Sequence, residues 1–571
     1  MTESTWSSNP ATADWGAKEN WVPQQVPSVK ATFGKSSHTQ IDFAAGAVQV
    51  IEQIEFSAGA DAYQFNFASS EKPALTVTGR VSNDSDQVQH FIVAATTSGY
   101  QNPQLSFAGT ASAGDETLCY SAGPVSPEGY GGGVISFHDQ ACAGSACYTA
   151  WTGAGVPPDH STVGGEIAFC DQTSAGQASF TIYGSLGSDG DTFGNVVFHD
   201  SATAASAIFK NVGGTVSGGD GGNTQFYGHS SAANGQFNNL GGTHEKANGG
   251  DVAFDSQASG GSGIFQNYAA PAAGAYGGVT SFNNNPPETA GVGASAGNGR
   301  YFNFGAQGEQ QGGGGHLEFS AKYGAPTAAN AQITNLGSVI SHRSSAGHTL
   351  FSISLPAAYA PTAGNACICN QPAPLKGGAA GYTEFAVFDE GAASGGYPSA
   401  GEAVISNLGG GADGVAGGFT EFSGRSSAGA ATLIALGGVG EKSGGRIIFY
   451  DQSEAASACI QLQGNGELVL GDHDGPLSVK DLLLNGGLIS IQLGSAVTSL
   501  QVSGSLLLNG SCEFDFWQAS DGGFEFNTPY TVLQSDSLTE AQTGCFSANS
   551  IEGVTPVFSL QGNALQVTYT K

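Results

Sequence analysis

Charged side chains are scarce in this chain: Lys, Arg, Asp and Glu make up 11% of its 571 residues, with 16 basic against 47 acidic. The resulting formal charge of −31 repels polyanions, which excludes nucleic-acid binding and docking to anionic membrane surfaces. Long apolar runs are lacking too, so no segment suits direct insertion into a membrane as a helix. Helical periodicity is missing, because no stretch holds apolar residues at i, i+3, i+4 and i+7 before a Gly interrupts it. The opening "MTESTWSSNP" has neither a basic n-region nor an apolar h-region. The expectation is therefore a chain that is cytosolic or whose leader has been removed. Nucleophile elbows, phosphate-binding loops and zinc-protease helices do not occur.

What is abundant is Gly, 89 residues, together with 33 Phe. Between 164 and 249 the chain reads as one unit written three times: "GGEIAFCDQTSAGQASFTIYGSLGSDGDTF", "GNVVFHDSATAASAIFKNVGGTVSGGDG" and "GNTQFYGHSSAANGQFNNLGGTHEKANG". Each begins with Gly, runs through a short alternating strand to a Phe, turns on small residues, and forms a second strand before a Gly-rich return. A period of about 28 residues is too short to bury its own apolar face, so successive units must stack into a coil. Alternation places Ile167 and Phe169, Val196 and Phe198, Thr224 and Phe226, and Val252 and Phe254 inward, as ladders. Asn211, Asn239, Asn335 and Asn407, each close before Gly, form an expected Asn ladder.

Three segments follow from the repeat. Residues 1–131 are an N-terminal cap and first coils, with Trp6, Trp15 and Trp21 as the plug. Residues 132–474 are the repeats, with an irregular insertion at 315–381. Residues 475–571, rich in aliphatic strands broken by NG and SG turns, are closing coils and a cap.

The opening "TWSSNPATADWGAKENW", "IEFSAGADAYQFNF" and the recurring GG-x-x-x-F units resemble the passenger regions of bacterial autotransporters and autotransporter-associated β-strand repeat proteins. The resemblance covers nearly the whole chain. It implies an all-β, right-handed parallel β-helix, a solenoid with N- and C-terminal caps, secreted or displayed on a bacterial surface. Passengers of this kind include adhesins, enzymes and proteins of no known task; with no catalytic motif in the chain, the expected function is a scaffold or adhesion-type binding protein, with polysaccharide or a host or cell surface as partner and no cofactor.

An acid recurs two residues past the Phe of several units: Asp139, Asp171, Asp200 and Asp451, with Asn284 in the same place and His138 and His199 preceding two of them. Asp and Asn are turn formers, and this is the favoured reading. Stacked carboxylates would also suit Ca²⁺, or the acid and base of a polysaccharide hydrolase or lyase, the alternative function, with Asp139, Asp171 and Asp200 as catalytic residues. Tyr148, Trp151, Tyr268, Tyr276 and Tyr397 are read as loop aromatics able to stack on sugar rings. His342, His348, Cys367 and Cys369 lack the spacing of a zinc site, and "GDHDG" at 471–475 is a tight turn rather than a calcium loop. Nine cysteines cannot all pair within one chain. Most are read as small core or turn residues, and a Cys142–Cys147 disulfide is one pairing among others.

Overall fold

The computed structural model describes residues 2–44, 46–67, 73–94, 103–123, 132–152, 164–186, 192–283, 291–321, 324–353, 359–388, 396–494, 498–518 and 523–571. The chain divides into two compact units, Met1–Ser281 and Phe282–Lys571. Each is a parallel β-helix.

In the first unit every regular coil gives one strand to each of two sheets. Val134–Phe137, Glu166–Phe169, Asn195–Phe198, Asn223–Phe226 and Asp251–Phe254 pair parallel and without slippage. So do Leu118–Ala122, Cys147–Ala150, Ser179–Ile182, Ile208–Asn211, Gln236–Asn239 and Ile264–Asn267. Strands of four residues suffice because alternation sends two of the four inward, where identical neighbours stack. Phe137, Phe169, Phe198, Phe226 and Phe254 lie with ring centroids 4.6–4.7 Å apart. The second ladder runs Phe91, Tyr120, Tyr148, Phe180, Phe209, Phe237, Phe265. The two meet edge to face, as Phe169 meets Phe180 at 5.9 Å, the geometry that aromatic quadrupoles favour.

The expected Asn ladder is present. Asn211 donates from Nδ2 to Asn239 Oδ1 and Asn239 to Asn267 Oδ1, each at 2.8 Å with the side chains fully buried. Thr224 and Thr280, inward on the other sheet, donate to Asn211 and Asn267. A polar column therefore crosses the core with its acceptors satisfied. Paired glycines close the corner because consecutive coils touch there: a Cβ on Gly222 would run into the Ile182 carbonyl oxygen, and one on Gly250 into that of Asn211.

Trp6, Trp15 and Trp21 are buried and pack edge to face at 5.0 Å, and Trp21–Val22 runs antiparallel to Glu3–Trp6.

The second unit keeps the plan with different fillers. Its aromatic ladder is Phe282, Phe319, Phe351, Phe385, Phe422, Phe449. Its other ladder begins at Tyr301 and turns aliphatic, through Ile333, Ile368, Ile405, Leu433 and Ile460. Asn303, Asn335, Asn370 and Asn407 repeat the amide column. The stretch 315–381 is not the irregular insertion the sequence suggests: His316–Ser320, Gln332–Asn335, His348–Ile353 and Cys367–Asn370 are in register with their neighbours. Only the turns have grown, so linked Asn residues stand 32, 35 and 37 apart here against 28 in the first unit. The final strands, Tyr530–Ser535, Pro556–Gln561 and Ala564–Tyr569, switch to antiparallel pairing and close the unit.

Candidate functional site

The acid row is built by backbone geometry. Asp139, Asp171, Asp200 and Asp451 hold φ of 60°, 57°, 54° and 52°, and Gly109, Gly228 and Ser256 occupy the same turn at 66°, 63° and 59°. Gly, Asp and Ser share the position because it demands a left-handed conformation that Gly takes freely and Asp tolerates. Each carboxylate is then spent on the preceding coil. Asp139 accepts from the Gly109 N–H at 2.8 Å, Asp171 from that of Asp139 at 2.8 Å, and Asp200 from that of Asp171 at 3.0 Å. Asp139 and Asp171 line a surface depression of about 410 Å³ with Gly109, Thr110, Gln140 and Gln172. Asn284 lies outside the described residues.

Of the five aromatics, Tyr397 packs half-buried against Ala321, Ile353 and Val387, and the other four separate. Tyr148 is not in a loop: it is 2% exposed, a rung of the second ladder, and burial raises its phenol well above the usual range. Tyr276 stands 54% exposed on the Gly-rich return. Trp151 and Tyr268 fall into one column that sequence reading missed, the residue directly after each second-sheet strand: Trp151, Tyr183, Val212, Leu240, Tyr268, all half-buried. Their N–H groups continue the ladder from coil to coil, as Tyr183 to the Ala150 carbonyl and Leu240 to that of Asn211. Trp151 and Tyr183 stack at 4.1 Å and 5°.

Beside this column stands a polar one. The carbonyls of Trp151, Tyr183, Val212 and Leu240 accept from Gly165, Gly194, Gly222 and Gly250, and the next residues are Glu166, Asn195, Asn223 and Asp251. These four are in register and half-buried on the outward face. The corner of the first unit is thus an apolar strip edged by carboxylates and amides, repeated at the ~4.8 Å spacing of adjacent strands.

In the second unit the equivalent outward positions are His316, His348, Tyr382, Phe419 and Arg446. The first four stack at 4.8–5.1 Å. Arg343 covers Tyr382 at 4.2 Å and binds Glu384 and Glu421 at 2.7 and 3.0 Å. Burial pushes His316 down to about 4 and His348, which also faces His316, to about 3, so both imidazoles are neutral at pH 7. Beyond Arg446 the column continues as Glu467, Leu488 and Glu513, lining an acidic groove of about 840 Å³ with Glu441 and Asp515.

His342 sits in a return turn with Nδ1 against Ser344 Oγ at 2.6 Å, and Cys367 and Cys369 lie on a second-sheet strand. Among the described residues no three His, Cys, Asp or Glu side chains converge as metal ligands. His473 of "GDHDG" is in a turn, its ring nitrogens facing the Ser453 and Gly475 carbonyls at 2.8 and 3.0 Å. A scan against protein-family models gives no match. No curated protein matches the chain either.

Proposed function

We propose that the chain is a binding scaffold of the autotransporter-passenger kind, extracellular or displayed at a cell surface, that holds an extended polysaccharide along the outward corner of its first unit. The observation that carries this reading is the paired column: Trp151, Tyr183, Val212, Leu240 and Tyr268 beside Glu166, Asn195, Asn223 and Asp251. A sugar ring offers an apolar face and a rim of hydroxyl groups. Flat or aliphatic side chains take the face, and amides and carboxylates take the hydroxyls. A repeating polymer matches a repeating surface, so weak contacts on several coils add through effective concentration. Net acidity directs the choice toward neutral or cationic glycans.

The reading assigns binding, not cleavage, to the surface, since the row of Asp139, Asp171 and Asp200 is engaged by backbone N–H groups. The test is isothermal titration of the purified protein against a panel of neutral and amino polysaccharides, with reducing-end release assayed in parallel. Binding without release is expected, lost at least tenfold in Trp151→Ala/Tyr183→Ala and kept in Asp171→Gly. Binding unaffected by the double variant, or none across the panel, sinks the proposal. Release abolished by Asp171→Gly would install the enzyme reading in its place.

A further inference from the structure

The nine cysteines are all reduced in the structure, and two of them are placed differently from the rest. Cys142, the partner that sequence proximity offers to Cys147, is occupied elsewhere. It stands in a column of Ser112, Ser174, Thr203, Ser231 and Ser259, linked by single bridges. There each side chain accepts the N–H two residues on: Gly144 donates to Cys142 Sγ at 3.3 Å as Gly176 donates to Ser174 Oγ at 3.1 Å. Cys142 is a sulfur version of a turn hydroxyl.

Cys147 faces another thiol. On the second sheet Leu118–Ala122 and Cys147–Ala150 pair parallel with Cys119 opposite Cys147, and both side chains point outward, half-buried. The two thiols therefore stand side by side on neighbouring strands, with Ser179 next in the column. Cys147 in turn accepts from Ser179 Oγ at 3.5 Å and points its own S–H at the Glu116 carbonyl, 3.8 Å away. In-register parallel neighbours have Cα atoms ~4.8 Å apart, inside the range that disulfides span. The next outward residue on the preceding coil is His90, exposed, a base within the same column.

We propose that Cys119 and Cys147 are a dithiol that closes to a disulfide joining two successive coils, with a low-molecular-weight disulfide such as oxidised glutathione as the oxidant. The Cys147 thiolate attacks one sulfur of the oxidant, forming a mixed disulfide and releasing one glutathione thiolate. Cys119 then gives up its proton to water or His90 and attacks Cys147 Sγ. The second glutathione thiolate leaves, so two protein thiols are oxidised and two glutathione thiols form. Burial and the neighbouring thiol push Cys119 up to about 11, which makes it the slower, second participant. The bond lies across the strand direction, beside the ladder hydrogen bonds that pair the two coils.

The test treats the full chain with oxidised glutathione and maps its peptides by mass spectrometry without reduction. The expected product is a peptide pair linking Cys119 to Cys147, reopened by dithiothreitol. In Cys119→Ser, Cys147 should stop at the glutathione adduct, while Cys142→Ser should leave the cross-link intact. A Cys142–Cys147 linkage, or Cys119 and Cys147 found only free or separately glutathionylated in the unaltered chain, overturns the proposal. Neither variant touches the core, and circular dichroism of each confirms that the coil persists before the maps are compared.

Discussion

The outward corners of the two units are the same place on the same coil, filled in opposite ways. In the first unit the corner carries Glu166, Asn195, Asn223 and Asp251, half-buried beside an apolar column. In the second, His316, His348, Tyr382 and Phe419 stack on one another, and Arg343 lies over the aromatic column in ion pairs with Glu384 and Glu421. Inside the coil the two units agree in their Phe ladder, their Asn column and their paired glycines. The backbone plan thus fixes what points inward, while the outward residue at each register is free to make either an open surface or a sealed one.

The shared interior should fail equally in both units. Gly250→Ala drives a Cβ into the Asn211 carbonyl, and Gly418→Ala drives one into that of Asn370. Each should cost about 3 kcal/mol, the upper range for overpacking, by urea unfolding. Unequal losses would show that the two corners are not built alike.

The amide columns offer a finer comparison. Asn370 donates to Asn407, to the Phe419 carbonyl and to Thr420, and accepts from Asn335 and Thr383. Asn407 accepts from Asn370 and Thr420, but its own Nδ2 is buried without a partner, because Ala435 follows in register. Asn370→Ala should therefore destabilise by about 2–3 kcal/mol and Asn407→Ala by about 1 kcal/mol less, since it also removes an unsatisfied donor. Equal effects would argue that the column does not act bond by bond.

Acid separates the outward corners. His316 and His348 are held neutral in the fold with pKa values of about 4 and about 3, against an ordinary 6.5. Between pH 6.5 and about 4 the unfolded chain takes up protons that the folded one refuses, so stability falls as pH falls. The slope reaches at most ~1.4 kcal/mol per pH unit for each histidine and flattens below the folded values. His316→Phe/His348→Phe should flatten that slope in urea titrations at pH 7, 6, 5 and 4, and an unchanged slope would place the acid sensitivity elsewhere.

Much of this was legible before any coordinates. Phe169, Phe198 and Phe226 repeat with strand alternation around them, and Asn211 and Asn239 precede glycine pairs, so inward ladders and the Asn column could be read directly. Tyr148 was misread because it is Tyr where the next coils have Phe180 and Phe209, although "CYTA" aligns with "SFTI" and "IFKN". The coils in 315–381 were hidden by turns that lengthen the period. The column of Trp151, Tyr183, Val212, Leu240 and Tyr268 has no common residue type, since its members share a place and not a packing duty. Cys119 and Cys147 are one coil apart, so period arithmetic could have paired them; nearness along the chain favoured Cys142 instead.

The Asn column has a direction. Every Nδ2 donates toward the higher-numbered coil, from Asn303 through Asn335 and Asn370 to Asn407, so the side-chain amide dipoles align head to tail in a dry interior. Each bond polarises the next, as in other hydrogen-bonded chains. The result is a molecular wire of oriented dipoles, with its positive end at the unpaired Asn407 amide. A parallel β-helix carries little net dipole along its axis from its strands, which run across that axis; here the side chains supply one.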